Sequence, residues 1–262
     1  MDSITNDVNV HKLMKVLNLV AKIILENGGE THRAEDTINR IAKSFGIEEA
    51  EGVVIPVGFF ITISRNGLDS YTTVKRITKR TTDLYKMNEA NRISRMLTEG
   101  KLNLDEALEE LQGLSTRTTG NKWLLLIGSA LSSGFFTLLF NGSILDFFIS
   151  VFCGTIIQIL ALMLRVEEMF PLVMSLLGGF SISCIATAST LLFPEVSLEA
   201  VISGAIMPLL PGLAMTNAIR DSMQGDLISG LVRGTEAIII AIGLAVGAGF
   251  YLKLWLLGGG LV

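Results

Sequence analysis

The chain has 262 residues, half of them hydrophobic and only 18% charged, against about 25% in a typical soluble domain. Residues 1–120 carry 33 charged side chains and residues 121–262 carry 13. This split excludes a single soluble globule, a disordered chain and a collagen-like fibre. It predicts a soluble domain over 1–120 and a membrane domain over 121–262. The net charge of −4 leaves no basic face for nucleic acid, which we do not expect as a partner.

The N-terminus does not have the pattern of a signal peptide, because Asp2, Asp7 and Lys12 interrupt it before any apolar region can form. We therefore expect residues 1–120 to lie in the cytoplasm. Cys153 and Cys184 both lie in apolar runs. They are expected to be buried thiols, neither a disulfide framework nor a metal site.

The first 120 residues predict a compact α+β domain. Apolar residues at helical spacing predict a helix from Val10 to Ile24, closed by Gly28-Gly29, and a second helix after Thr31 that stops at Gly46. Residues rich in β-branched and aromatic side chains then predict three strands, and two further helices and a polar linker follow. The predicted strands are 53–57, 59–64 and 71–77, with a hairpin turn at Asn66-Gly67. The predicted helices are 83–97 and 104–112, and Asn103 caps the second of them. The predicted linker is 115–120.

The second half predicts an all-α membrane domain of about five transmembrane helices. Its apolar stretches approach the ~20 residues needed to cross a bilayer as a helix. They are 123–145, 147–164, 169–194, 200–219 and 229–252. The fourth is interrupted by Pro208, Pro211 and Gly212, so we expect it to be kinked or discontinuous.

The loop charges predict the orientation of these helices. Lysines and arginines concentrate in the loops on one side of the predicted spans, and only Lys253 falls on the other side. The first group is Arg117, Lys122, Arg165, Arg220 and Arg233. The bias predicts a multi-pass protein of the cytoplasmic membrane with the N-terminal domain inside and the C-terminus outside.

Three groups of residues could carry chemistry. The first lies at the start of the second helix, where histidine and carboxylates could bind a metal or act as acid and base in a membrane-tethered hydrolase. These residues are Glu30, His32, Arg33, Glu35 and Asp36. They contain no complete metal-ligand motif, and carboxylates in the first turn of a helix are also expected from the helix dipole alone.

The second group is the broken fourth span and the residues that follow it. Unwound backbone at membrane depth is found where it lines a cavity, which is how transporters build substrate sites. Asn217, Arg220 and Asp221 follow at helical spacing, so an arginine fork could bind a substrate carboxylate beside a proton-carrying aspartate. The alternative is an Arg220–Asp221 pair at the membrane boundary.

The third group surrounds the entry to the last span. Asp226, Arg233 and Glu236 lie within three helical turns, and Glu236 falls inside an apolar run. A carboxylate at such a position is costly unless it is paired or faces a cavity, which makes it a functional candidate. A structural ion pair with Arg233 or Arg220 is the alternative.

Three motifs resemble the threonine/serine exporter family over nearly the whole chain. They are Gly28-Gly29-Glu30-Thr31-His32-Arg33-Ala34-Glu35-Asp36, Pro56-Val57-Gly58, and Pro208-Leu-Leu-Pro211-Gly212 continuing to Thr216-Asn217-Ala-Ile-Arg220-Asp221. With five predicted spans, the chain resembles the larger subunit of the two-chain form of the family, which works beside a small membrane protein. The resemblance implies export of threonine and serine, or of a dicarboxylate such as succinate.

Taken together, these observations predict a proton-driven exporter subunit that needs no cofactor, no metal and no catalytic residue. The substrate-binding candidates are Pro208, Pro211, Gly212, Thr216, Asn217 and Arg220. The proton-coupling candidates are Asp221, Asp226 and Glu236. Expected partners are the lipid bilayer and a small membrane subunit, with a higher oligomer also open. The hydrolase and a ligand-regulated channel remain as alternatives.

Overall fold

The structure is a computed structural model that describes residues 10–47, 49–65, 69–117, 120–164 and 171–259. The described residues divide into two compact units. The first unit lies within Met1–Thr119 together with Thr216–Arg233, and the second lies within Gly120–Met215 together with Gly234–Val262. The segment Thr216–Arg233 therefore packs with the N-terminal part of the chain.

The first unit begins with the two predicted helices. Helix α1 (Val10–Glu26) buries an apolar stripe, and α2 (Thr31–Ser44) follows after a four-residue connection. Gly28 in that connection has φ 87°, in the left-handed region that favours glycine after a helix. The predicted pattern of two helices separated by Gly28-Gly29 is confirmed.

An antiparallel sheet with strand order β1-β2-β3 follows. The strands are β1 (Glu49–Ile55), β2 (Gly58–Arg65) and β3 (Asp69–Arg76). The predicted first strand, 53–57, is wrong at both ends. Glu49 already pairs with Ser64, and the chain turns at Pro56-Val57, where the N–H of Ile77 donates to the Val57 carbonyl (2.9 Å). The predicted Asn66-Gly67 turn lies outside the described residues.

Two helices complete the N-terminal part, α3 (Leu84–Thr98) and α4 (Leu104–Thr116). The predicted cap of α4 is confirmed: the Asn103 side chain accepts from the Glu106 N–H (2.9 Å), and the Glu106 carboxylate accepts from the Asn103 N–H (2.9 Å). This exchange satisfies two backbone donors that a helix N-terminus leaves open. The buried faces of these helices share one apolar core with α1, α2 and the inner face of the sheet.

The remaining helices contain the candidate membrane spans. Four of them are long and apolar enough to cross a membrane: α5 (Lys122–Leu139), α6 (Ile144–Met163), α7 (Pro171–Leu192) and α10 (Leu227–Leu257). A fifth span is present if the bent pair between α7 and α10 is one span. The described chain thus agrees with an α+β part followed by about five spans.

The bent pair is where proline interrupts the sequence. Helix α8 (Leu198–Ile206) continues into a 3-10 turn at Met207–Leu209, and α9 (Gly212–Met223) begins after Pro211. The two arms are bent by 60°, and Leu210 between them is extended, with φ −67° and ψ 138°. The predicted break is confirmed, because proline removes a backbone donor and clashes with the preceding turn.

The first predicted span is shorter than its apolar run. It ends at Leu139 because Asn141 adopts φ 60° and Ser143 caps the N-terminus of α6. The Asp146 carboxylate accepts from the N–H groups of Ser143 (2.8 Å) and Ser197 (3.0 Å). Asp146 is thus a buried capping residue, which the sequence analysis did not identify.

Candidate functional site

The connection between α1 and α2 packs against the C-terminal part of α9 and the start of α10, all within the first compact unit. Backbone carbonyls of the connection accept hydrogen bonds from two side chains. Gly28 accepts from Asn217 Nδ2 (3.0 Å) and Gly29 accepts from Arg233 Nη2 (2.7 Å). Side chains complete the contact in what we term the charged cluster: Glu30, Thr31, Asn217, Arg220, Asp221, Asp226 and Arg233.

The centre of the charged cluster is a buried ion pair. Arg233 Nε lies 3.0 Å from Asp221 Oδ2, and the exposed fractions of the two side chains are 9% and 0%. The hydroxyl of Thr31 lies 3.3 Å from the other oxygen of Asp221. Charges this far from water persist only when an opposite charge compensates them, so each partner depends on the other.

Asp226 joins α2 to α10. Its carboxylate accepts from the Ser229 N–H (3.1 Å), which caps α10, and from the Thr31 hydroxyl (2.9 Å). Burial acts to raise the pKa of Asp226, but the hydrogen bonds from Ser229 and Thr31 and the charge of Arg233 outweigh it, so the pKa is lowered. Asp226 is therefore ionised in this conformation at neutral pH.

Arg220 and Glu30 form the outer part of the charged cluster. Their side chains are paired, and the exposed fractions are 52% for Arg220 and 19% for Glu30. The sequence analysis offered an Arg220–Asp221 pair as the alternative to a substrate site. In the structure Arg220 contacts Glu30 and Asp221 contacts Arg233. A half-exposed guanidinium held by one carboxylate is a group that another carboxylate can approach.

The structure brings together some of the predicted site residues. Asn217, Arg220, Asp221 and Asp226 all belong to the charged cluster, and Thr216 is exposed on the same helix. The other predicted residues belong to the second compact unit. These are Pro208, Pro211 and Gly212 at the break, and Glu236, one turn beyond Arg233 on α10.

Two carboxylates of the acid–base group at the start of α2 have partners within the first unit. Asp36 pairs with Arg40 on the exposed face of the helix. Glu35 accepts from the Val54 N–H (2.9 Å). Burial raises the pKa of Glu35 and nearby Asp226 adds to this, while the Val54 hydrogen bond and the charge of His32 oppose it. Among the described residues, no three His, Cys, Asp or Glu side chains form a group that could bind a metal.

Sequence reasoning missed the role of the α1–α2 connection. The sequence predicts the start of a helix at Thr31, which is confirmed, but not that its hydroxyl contacts two aspartates 190 and 195 residues away. Gly28 and Gly29 were noted as a helix stop, and their carbonyls are acceptors for the charged cluster. The only signal in the sequence was that the motif from Gly28 to Asp36 contributed to the family resemblance.

The spanning helices define a multi-pass membrane protein that also has an α+β unit. A family model described as "Putative threonine/serine exporter" (ThrE) matches residues 15–255. The chain belongs to this threonine/serine exporter family.

This chain matches different fractions of the length of its curated relatives. The chain is 21% identical over 245 residues to a "Probable threonine/serine exporter" of Mycobacterium tuberculosis, covering 92% of this chain and 46% of that protein. The chain thus spans about half the length of that relative. It is 22% identical to "Probable succinate transporter subunit YjjP" of Klebsiella aerogenes (91% and 92% covered) and 23% identical to the protein of that name in Escherichia coli (90% and 92%). No solved structure matches the chain.

Proposed function

We propose that this chain is one subunit of a membrane exporter for a small amino acid such as threonine or serine, or for a dicarboxylic acid such as succinate. The family and the names of the relatives support an exporter of one of these substrates. All of them carry a carboxylate. The relatives named as transporter subunits support a second, small membrane subunit, and the loop charges support a cytoplasmic N-terminal domain with the C-terminus outside.

The observation that carries this proposal is the half-exposed Arg220 paired with Glu30. A guanidinium binds a carboxylate through two parallel hydrogen bonds. Because Glu30 already supplies such a carboxylate, the substrate carboxylate exchanges with that of Glu30 when it binds. Asn217 lies one turn before Arg220 and is held against Gly28. This hydrogen bond holds the α1–α2 connection, which ends in Glu30, against α9, so Asn217 would position Glu30 beside Arg220.

Replacing Arg220 with lysine should reduce the initial rate of export by about tenfold or more, because lysine keeps the charge and loses the planar fork. The measurement is efflux of labelled threonine, serine and succinate from membrane vesicles that contain this chain, with and without a second subunit. Protein abundance is measured in the same vesicles.

The matched control is Arg40→Lys, in the exposed Asp36–Arg40 pair on α2, which should leave export unchanged. Near-normal export by Arg220→Lys at normal abundance would remove Arg220 from the substrate site. Full, saturable export by this chain without a second subunit would contradict the two-subunit part of the proposal.

Proton coupling is proposed to use Asp221, Asp226 or Glu236. Neutralising the coupling residue, as in Asp221→Asn, Asp226→Asn or Glu236→Gln, should abolish the stimulation of export by an imposed pH gradient. Exchange of labelled for unlabelled substrate, measured at matched protein abundance to allow for the stability lost when Asp221→Asn breaks the buried pair with Arg233, should persist, because exchange needs no net proton movement. The pKa of Asp226 is lowered in this conformation, so Asp226 binds a proton less readily. This favours Asp221 or Glu236 as the coupling residue.

Asp105→Asn is the control for this test, since Asp105 is an exposed carboxylate paired with Lys12. It should keep both gradient-driven export and exchange. If all three variants also retain gradient-driven export, then none of these carboxylates carries the coupling proton.

A further inference from the structure

The N-terminal part of the first unit contains a basic groove that shares no residue with the charged cluster. The groove has a volume of about 380 Å³ and is lined by residues of α1, the end of β3 and α4. Four lining residues are cations: Lys15, Lys22, Lys75 and Arg76. None of the lining residues is a carboxylate. This concentration of positive charge stands out in a chain whose net charge is −4.

The fold brings these cations together from two elements. Lys15 and Lys22 are seven residues apart, which places them on one face of α1. Lys75 and Arg76 are the last residues of β3, an edge strand of the sheet, and Lys75 pairs with the buried Phe59 and so lies on the inner face of the sheet. Lys22 Nζ lies 3.7 Å from Glu26 Oε1. The other three cations make no ion pair with any residue that the structure describes. Among the described residues, these three cations therefore have no ion-pair partner that would compete with a bound anion.

The rest of the lining is suited to a small ligand. Leu19 and Leu108 provide an apolar floor where α1 and α4 pack, while Asn18 and Gln112 add amide groups. Cavities that bind small molecules commonly combine an apolar lining with a few polar groups and have volumes of about 300–1,000 Å³. One carboxylate would leave most of the charge in this groove uncompensated.

We propose that the basic groove binds a polyanion that carries at least two phosphate charges. Lysine acts as a point charge toward phosphate oxygens, and Lys15, Lys22 and Lys75 supply three such charges. The phosphate belongs either to a soluble polyphosphate, such as a nucleotide, or to the headgroup of an anionic lipid. The bound anion would hold α1, β3 and α4 together. Its site would share no residue with the substrate site proposed above.

Titration of the purified full chain with pyrophosphate in an uncharged detergent tests the soluble form of this ligand. Calorimetry should detect one site, with an affinity that falls as salt is added. The variant Lys15→Gln/Lys75→Gln should bind at least about tenfold more weakly, because it removes half of the cations that line the site. Both side chains are exposed, so the variant is expected to fold.

The control variant, Lys43→Gln/Lys101→Gln, removes the same charge from exposed positions outside the groove. The lipid arm uses the same three proteins in nanodiscs with and without phosphatidic acid, and retained lipid is measured by mass spectrometry. Pyrophosphate binding that only the groove variant loses supports a soluble ligand. Phosphatidic acid retention that only the groove variant loses supports a headgroup. If neither probe binds, or the groove and control variants behave alike, the proposal is wrong.

Discussion

Replacing Arg233 with methionine should lower the stability of the first compact unit by roughly 3–5 kcal/mol, because it leaves a fully buried carboxylate without its cation. Asp221 is 0% exposed and its Oδ2 lies 3.0 Å from Arg233 Nε. The substitution also removes the donor to the Gly29 carbonyl. Hydrogen exchange of the full chain in detergent measures the effect. Protection should fall in residues 30–38 and 216–230.

Two further variants separate the buried charge from a simple loss of contact. Arg233→Met/Asp221→Leu removes both charges and should recover much of the lost protection, because an apolar pair can replace a buried ion pair at little cost. Arg220→Met breaks the half-exposed pair with Glu30 and should cost only about 0–1 kcal/mol. Equal losses of protection for Arg233→Met and Arg220→Met would mean that burial does not determine the contribution of these pairs.

Replacing Gly29 with alanine should destabilise the protein by roughly 1–3 kcal/mol, because the added methyl group has no space. A Cβ at this position would lie 2.4 Å from Ile24 Cγ2 and 2.7 Å from the Ile24 carbonyl oxygen. The second contact is with backbone, so the connection itself must move. The Gly29 carbonyl would then no longer be in place to accept from Arg233, and export should fall together with stability.

The matched control is Gly113→Ala, in the interior of α4, where a Cβ would meet no atom within 4 Å. It should stabilise the helix by about 0.5–1 kcal/mol, because alanine has a higher helix propensity than glycine. The melting temperature of each full-length variant, followed by circular dichroism, gives the comparison. If Gly29→Ala melts at or above the temperature of Gly113→Ala, the tight packing of the α1–α2 connection does not contribute to stability.

The local elements could be predicted because their signals lie within a few residues. The apolar stripe of α1 repeats at helical spacing, the Asn103 cap is three residues from Glu106, and the prolines of the bent pair act on adjacent turns. The first strand was misplaced because its N-terminal residues, including Glu49 and Glu51, are not typical strand formers. Pairing with β2 decides that they are extended.

Only the α9 residues of the candidate site could be predicted from the sequence, and their partners could not. Helical spacing brought Asn217, Arg220 and Asp221 together on one helix, and polarity inside apolar sequence marked them as functional candidates. Their partners could not be read from that spacing. The partner of Arg220 is Glu30, 190 residues earlier.

By itself, the sequence determined that this protein has an α+β part and apolar helices long enough to span a membrane, where along the chain most of its helices lie, and that the fourth predicted span is broken. Those properties follow from hydrophobicity, periodicity and backbone chemistry, which act over short distances. Only the tertiary structure decided which charges pair. It placed the α1–α2 connection against α9 and α10, and it buried Asp221 with Arg233 while leaving Arg220 half-exposed beside Glu30. Burial and partnership of a charge depend on residues that are distant in the chain and close in space, and no local pattern encodes them.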